Sequence, residues 1–403
     1  MKLKTLIGLL VLVLLLAAGC AQKGPEPVSP EDNPQHHYVR GMENLQEGDL
    51  DVAQEKFDRA LYLDDQYSPA QAGMGLVLSI KAEKRNQQRH KKADISSALE
   101  LMENSLDNAE NINETFIART TAIRNYTHAK PQGWLQDAQD IFQEANQMDS
   151  LEKSELPYYR GRPACFYYMG KAYMEGYKFR KAQDMFSRTL STGAQGKWQP
   201  LANEAYQKVQ KIVRASSHHS IGKVAEKIAV KNKVNRADVA SLLIDEVKLD
   251  KLFAGRIPVE SELASQRAEF IPADIVESPF KSEIETVLKW DVRGLTPTYS
   301  KDRKAYLFHP QKPLKRYQLA MILEDILIKL TQNKDLATKY VGTQTSPFND
   351  VKPSSAWFNA VMTVTSRDLM TPELSGEFKP RNYVNGPELL LSVFKLRDTI
   401  NIY

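Results

Sequence analysis

Four times between residues 36 and 215, a small residue is followed four positions later by a large apolar one and three after that by another small one. Ala53, Phe57 and Ala60 form the first set, Ala98, Met102 and Ser105 the second, Ala138, Phe142 and Ala145 the third, and Ala182, Phe186 and Thr189 the last. Steps of four and three keep each set on one face of an α-helix. Small residues let antiparallel helices approach closely, and the large one fills the gap between successive pairs. A segment built this way stacks helix pairs in a row, each contacting its neighbours. Glycines precede the sets in register: Gly41 stands before Ala53 at the same offset as Gly170 before Ala182, and Gly75 stands one repeat length beyond Gly41. Leu201 to Arg214, with Ala202, Ala205, Val209, Ile212 and Val213 on one stripe, reads as the capping helix of the row.

Gly41, Gly48-Asp49, Ala53, Phe57 and Ala60, with the step from Gly41 to Gly75, resemble a tetratricopeptide repeat. The resemblance implies an α-solenoid over residues 36–215, whose inner groove, lined by first-helix residues, takes a peptide or partner helix. The aromatic stretch Tyr158, Tyr159, Phe166, Tyr167, Tyr168, Tyr173 and Tyr177 has two readings, groove lining or core packing between helices. Cys165, inside it and without a neighbouring His or Asp, reads as a small buried residue. Lys84, Arg85, Arg89, His90, Lys91 and Lys92 read as a solvated helix extension or a basic docking face.

From residue 216 onward the chain carries a different repeat. Phe348-Asn-Asp350-Val351, Trp357 with Ala360-Val361, Gly376-Glu-Phe378-Lys-Pro380 and Val384-Asn385-Gly386-Pro387-Glu388-Leu389 follow one another in the last copy. Asp274-Ile275, Phe280, Ile284, Val287, Gly294, Phe308-His-Pro310 and Leu314-Lys315-Arg316-Tyr317-Gln318-Leu319-Ala320 form a middle copy. Only the back half of a first copy is plain, from Val234-Asn235-Arg236-Ala237-Asp238 to Leu243. In each back half a Phe-x-Pro extended piece or its remnant leads to a helix start. Asn235 with Asp238, and Asn385 with Glu388, place a capping residue three positions before an acid. An apolar stripe then buries the helix: Val239, Leu242, Leu243 and Val247 in the first copy, Leu389, Leu390, Val393 and Leu396 in the last.

These three copies, at about 216–255, 271–332 and 345–398 within a module spanning 216–403, resemble S-layer homology repeats. The resemblance implies a mostly helical, pseudo-threefold bundle whose grooves bind anionic cell-wall polysaccharide through the arginine of the helix-start turn and nearby aromatic residues. Arg236 and Arg316 take that place by position, and Trp357 and Trp290 are sugar-stacking candidates. A guanidinium suits the role because its planar fork meets a carboxylate with two charge-assisted hydrogen bonds. On the residues alone, both arginines are equally read as structural ion pairs, and Trp357 as core. The pattern breaks at Gly386, which stands where the third arginine belongs, and at Gln318, which replaces the acid. At most two grooves therefore keep the ligand chemistry.

The N-terminus has a charged start with Lys2 and Lys4, an apolar run from Leu6 to Ala18, and then Gly19-Cys20. That apolar run is too short to span a hydrocarbon core about 30 Å thick. Leu16-Ala17-Ala18-Gly19-Cys20 resembles the lipobox of bacterial lipoproteins, which implies a signal peptide over 1–19, acylation (palmitate or a like chain) of Cys20 and membrane anchoring. Ala21 after the cysteine resembles the outer-membrane sorting pattern, facing the periplasm. Residues 20–35, with Pro25, Pro27, Pro30 and Pro34, read as an extended tether.

Composition narrows the function. With 54 Lys and Arg against 50 Asp and Glu, two of the former in the leader, there is no basic excess of the kind that binds nucleic acid. Two cysteines make neither a disulfide framework nor a zinc site, and His36-His37 and His218-His219 read as solvated pairs. No Gly-x-Ser-x-Gly, phosphate loop or His-Glu-x-x-His occurs. The expectation is a mainly α, non-catalytic envelope lipoprotein without metal or cofactor: a tetratricopeptide-like array docks a protein, and an S-layer-homology-like module holds wall polymer. The competing expectation is a scaffold subunit of an outer-membrane assembly or secretion complex, whose C-terminal module makes protein contacts only.

Overall fold

The computed structural model describes residues 27–193, 196–217, 220–256 and 271–401. The leader, Cys20, the first part of the tether and His218-His219 lie outside the described residues. The fold is mainly α, and its only described sheet is one short hairpin. The chain divides into two compact units: residues up to 176 with 184–202, and residues 177–183 with 203–403. This division falls inside the helix read from sequence as a cap.

In the first unit, helices pair in sequence order: α1 (Pro34–Glu47) with α2 (Leu50–Leu63), α3 (Ser68–Lys84) with α4 (Gln88–Asp107), and α5 (Ile112–Ala129) with α6 (Trp134–Gln147). Next come α7 (Arg162–Glu175), α8 (Phe179–Ser191) and α9 (Trp198–Ala215), the last two continuing into the second unit. Each first helix also packs on the next first helix, α1 on α3, α3 on α5 and α5 on α7. This arrangement is compatible with tetratricopeptide-like stacking.

Local chemistry sets the turns. Asn33 accepts from the His36 amide ahead of α1, Gly48 ends it at φ 90°, and Asp49 accepts from the Val52 amide to start α2. Steric fit then sets the pairing. A Cβ on Gly41 would lie 2.5 Å from the Phe57 ring, and one on Gly73 would lie no farther away, so that ring is wedged between two helices that meet it with bare backbone. Gly170 meets Phe186 in the same way, at 2.6 Å. Burying each phenyl ring contributes about 2–3 kcal/mol, which only a glycine opposite makes accessible here.

The connection from α6 to α7, residues 148–161, is much longer than the Gly48-Asp49 turn and forms a strap. Leu156, Tyr158 and Tyr159 anchor it in the interior. The Tyr159 hydroxyl lies 2.8 Å from the Thr121 hydroxyl and accepts from Arg124 Nη1 at 3.2 Å, both on α5. The Tyr158 hydroxyl donates to Gln46 on α1, and the Trp198 indole donates to the Tyr159 carbonyl at 2.7 Å. The strap thus lies against first helices, where a peptide was expected. Tyr158, Tyr159 and Tyr173 are buried, and burial pushes the Cys165 thiol up to about 12, well outside nucleophilic range.

The second unit contains α10 (Lys223–Ala229), α11 (Arg236–Asp245), α12 (Leu249–Arg256), α13 (Lys281–Lys289), α14 (Arg316–Thr331), α15 (Phe358–Ser366) and α16 (Gly386–Asn401). A hairpin of β1 (Thr298–Ser300) and β2 (Ala305–Leu307) pairs Tyr299 with Tyr306. Helices α11, α14 and α16 begin at equivalent places in the three copies. α11 packs on α13 and α16, and α14 packs on α15 and α16. Of the expected stripe residues, Val239, Leu242, Leu243, Leu389, Leu390, Val393 and Leu396 are fully buried and Val247 is nearly so.

Candidate functional site

The three helix starts are tied together by backbone. Val234 N donates to the Val384 carbonyl at 3.0 Å, Val384 N to Leu314 at 3.0 Å, and Leu314 N to Val234 at 2.9 Å. The three bonds close a cycle around three fully buried side chains, so no copy can leave without orphaning a donor in another. Slightly farther along each copy, the Arg236 amide donates to the Lys312 carbonyl, Arg316 to Asn382 and Gly386 to Lys231. Ala237 and Tyr317 follow, donating to Pro310 and Pro380. First-turn amides that have no partner in their own helix thus find carbonyls in the next copy. At the third start this residue is Pro387, which has no amide to satisfy.

Each Phe-x-Pro turn is braced by an aspartate. Asp274 accepts from the amides of Phe308 and His309 at 2.8 and 2.7 Å, and Asp350 from those of Phe378 and Lys379 at 2.9 and 2.6 Å. His309 and Lys379 hold φ of 56° and 53°, a conformation side-chain-bearing residues seldom adopt, and a carboxylate taking two amides at the turn stabilises it.

Arg236 is buried with its guanidinium over the Phe308 ring, and it donates to the carbonyls of Phe308, Gly294 and Thr296 at 2.7, 2.6 and 3.0 Å. Arg316 repeats this one copy on: it lies over Phe378, donates to the carbonyls of Phe378 and Thr371 at 2.8 and 2.9 Å, and pairs with Glu388. Burial pushes Arg236 down to about 10 and Arg316 in the same direction. Both forks, read from sequence as ligand contacts or ion pairs, are committed to holding the neighbouring copy. Arg316 has an acid partner; Arg236 is held by carbonyls.

At the third position, a Cβ on Gly386 would overlap the Ile228 carbonyl oxygen and lie 2.7 Å from that of Ala229. The end of α10 occupies the space an arginine takes in the other two copies. Gly386 is therefore a fitted residue, not a decayed one.

The two tryptophans part ways. Trp290 is 6% exposed and packs on Phe253 with ring centroids 5.2 Å apart, which leaves little of its face for the stacking role expected of it. Trp357 is half-buried against Tyr317, centroids 4.7 Å apart, and its indole nitrogen has no hydrogen-bond partner. Tyr317, directly after Arg316, was not singled out in the sequence because its partner belongs to the next copy.

The sequence reading also misses a charge pattern at the cyclic closure. The segments that meet there, 231–235, 309–315 and 379–385, contain Lys231, Lys233, Lys312, Lys315, Lys379 and Arg381 and no Asp or Glu. Lys231 pairs with Asp238 at 2.7 Å; among the described residues the other five have no ion pair. Lys233 lies 4.7 Å over the ring of Tyr383, which is 44% exposed. The signal is present in the sequence as three short cationic runs, one per copy, whose meeting is visible only in the fold. Among the described residues no group of three His, Cys, Asp or Glu can hold a metal ion, and no helix is long and apolar enough to cross a membrane.

Residues 347–388 match the family model described as S-layer homology domain. The match covers the Asp350 brace, Trp357, the Phe378 turn and the start of α16, and it associates the module with the cell envelope or surface. Neither curated proteins nor solved structures give a match to the chain.

Proposed function

We propose that this chain is a non-catalytic adaptor of the cell envelope. Its C-terminal module binds an anionic wall polymer at the cationic closure, its helical array docks a protein, and acylated Cys20 holds it to a membrane. The observation that carries the polymer reading is the set of five unpaired cations beside exposed Tyr383, on a module with an S-layer homology match. Unpaired lysines and arginines on converging segments create a local positive potential that a polyanion neutralises, while a tyrosine face offers a sugar an apolar surface. The lipid anchor is supported by the sequence pattern ending at Cys20.

The test is sedimentation of the full chain with isolated cell wall. Lys233→Gln, Lys312→Gln and Arg381→Gln combined leave the buried ring untouched and should abolish retention with an unchanged melting temperature. Retention equal between this variant and the parent removes the polymer reading.

A second reading, a scaffold subunit whose module contacts only protein, is favoured by the commitment of Arg236 and Arg316 to backbone carbonyls and the burial of Trp290. It predicts no wall retention at any ionic strength, and a crosslinked protein partner on the module.

A further inference from the structure

The strap of the helical array builds a cleft that the adaptor reading leaves unused. A cavity of about 470 Å³ is lined by Lys153, Pro157, Arg160, Pro163, Lys197 and Trp198, among others. A second, of about 430 Å³, shares Lys153, Arg160 and Pro163. Among the described residues no carboxylate pairs with Lys153, Arg160 or Lys197. Arg162, at the rim of the second cavity, is neutralised by Asp149 at 2.7 Å. The three unpaired cations thus stand out against a partnered one beside them.

Lys197 is the informative one. Its ammonium lies 3.3 Å from the centroid of Tyr158 and 4.7 Å from that of Trp198, with Gln46 Oε1 at 3.5 Å as its polar contact. Arg124, more than nine-tenths buried, stacks on Tyr168 beneath the same aromatic cluster, and Arg160 faces Lys197 from the strap. Burial and these two like charges push Lys197 down to about 8, with Glu43 opposing weakly from α1. A cation held half-buried among like charges costs stability, and such a cost persists where a ligand supplies the missing negative charge.

The site is rigid. Leu156, Tyr158 and Tyr159 pin the strap on both sides of the cleft wall, and Arg160, at φ 56°, donates its amide to the Leu156 carbonyl at 2.8 Å. The cavity is too large for a bare oxyanion, and the half-buried Pro157 and Pro163 form an apolar wall next to the charges, the Trp198 indole being buried behind Tyr158 and Lys197.

We infer that this cleft binds an acidic peptide segment of a partner protein, a carboxylate meeting Lys197 and Arg160 while an adjoining apolar side chain lies on Pro157 and Pro163. The inference rests on the protein-docking reading of the array and names the chemistry of its partner.

The test uses the full chain and two fluorescein-labelled peptides, Glu-Leu-Asp-Phe-Glu and its amide counterpart Gln-Leu-Asn-Phe-Gln, followed by anisotropy. The acidic peptide should bind about tenfold or more tighter than the amide one, a difference of ~1.4 kcal/mol. Lys197→Met and Arg160→Ala should each remove most of that preference, and Lys197→Met should do so without lowering the melting temperature. Equal binding of both peptides, unchanged in the variants, overturns the inference and leaves peptide docking standing. Binding of neither peptide overturns both. Displacement by millimolar inorganic phosphate with no preference between peptides marks a small-anion site and also overturns it.

Discussion

The two units use buried cations in opposite ways. In the C-terminal module, Arg236 and Arg316 lie in slots where carbonyls, and for Arg316 the Glu388 carboxylate, meet their donors. In the helical array, Lys197 lies among aromatic rings with one amide contact, and among the described residues no carboxylate pairs with it. A satisfied cation holds a fold together, whereas an unsatisfied one is a standing demand for an anion. The arginines that sequence position marks for ligand are thus the ones most fully used by the structure, and among the described residues cations without an ion pair lie elsewhere, at the cyclic closure and in the strap cleft.

The contrast is tested most severely at Arg316. Arg316→Ala strands Glu388 and two carbonyls and should cost about 3–5 kcal/mol in chemical denaturation. A loss below ~1 kcal/mol would mean that the slot is wet and the arginine available. Gly386→Ala comes next, since a methyl cannot share space with the Ile228 carbonyl; a loss of about 2–3 kcal/mol is expected, and a neutral result would mean that the third position is open after all. Asp350→Ala removes the acceptor of two turn amides and should cost about 1–3 kcal/mol, read from the same transition.

The smallest effect has the opposite sign. Lys197→Met should raise the melting temperature near neutral pH by a few degrees, about 1 kcal/mol. The folded-state value of Lys197, about 8, lies below the ordinary 10.5, so the unfolded chain takes up more protons between those values and the parent gains stability as pH rises through that window. The advantage of the variant should be full below about pH 8 and gone above about pH 10.5. A variant less stable than the parent at pH 7 would show that Lys197 is structural.

Much of this fold was legible because its determinants are local. Small-large-small steps mark the helix pairs, and the Gly41–Phe57 and Gly170–Phe186 fits follow from them. Asn235 and Asn385 do cap their helices, each accepting from an amide three positions on. What escaped the sequence depends on distant partners. The Val234–Leu314–Val384 cycle joins segments from three separate copies, and no local pattern encodes which carbonyl each of these amides will meet. Gly386 reads as a lost arginine until the end of α10 is seen to fill its place. Trp290 reads as an available ring until Phe253, from the first copy, covers it. The aromatic run at Tyr158 announces packing, yet only the fold shows that it pins a strap and arranges three cations around a cleft.

If the C-terminal module adheres through cations its fold does not consume, titration calorimetry of the full chain with purified anionic wall polysaccharide, repeated at rising salt, will show it. Binding should weaken steeply with ionic strength and disappear when Lys233, Lys312 and Arg381 are changed together to glutamine. Binding that ignores both salt and those substitutions, or no binding at low salt, would contradict adhesion at the cyclic closure.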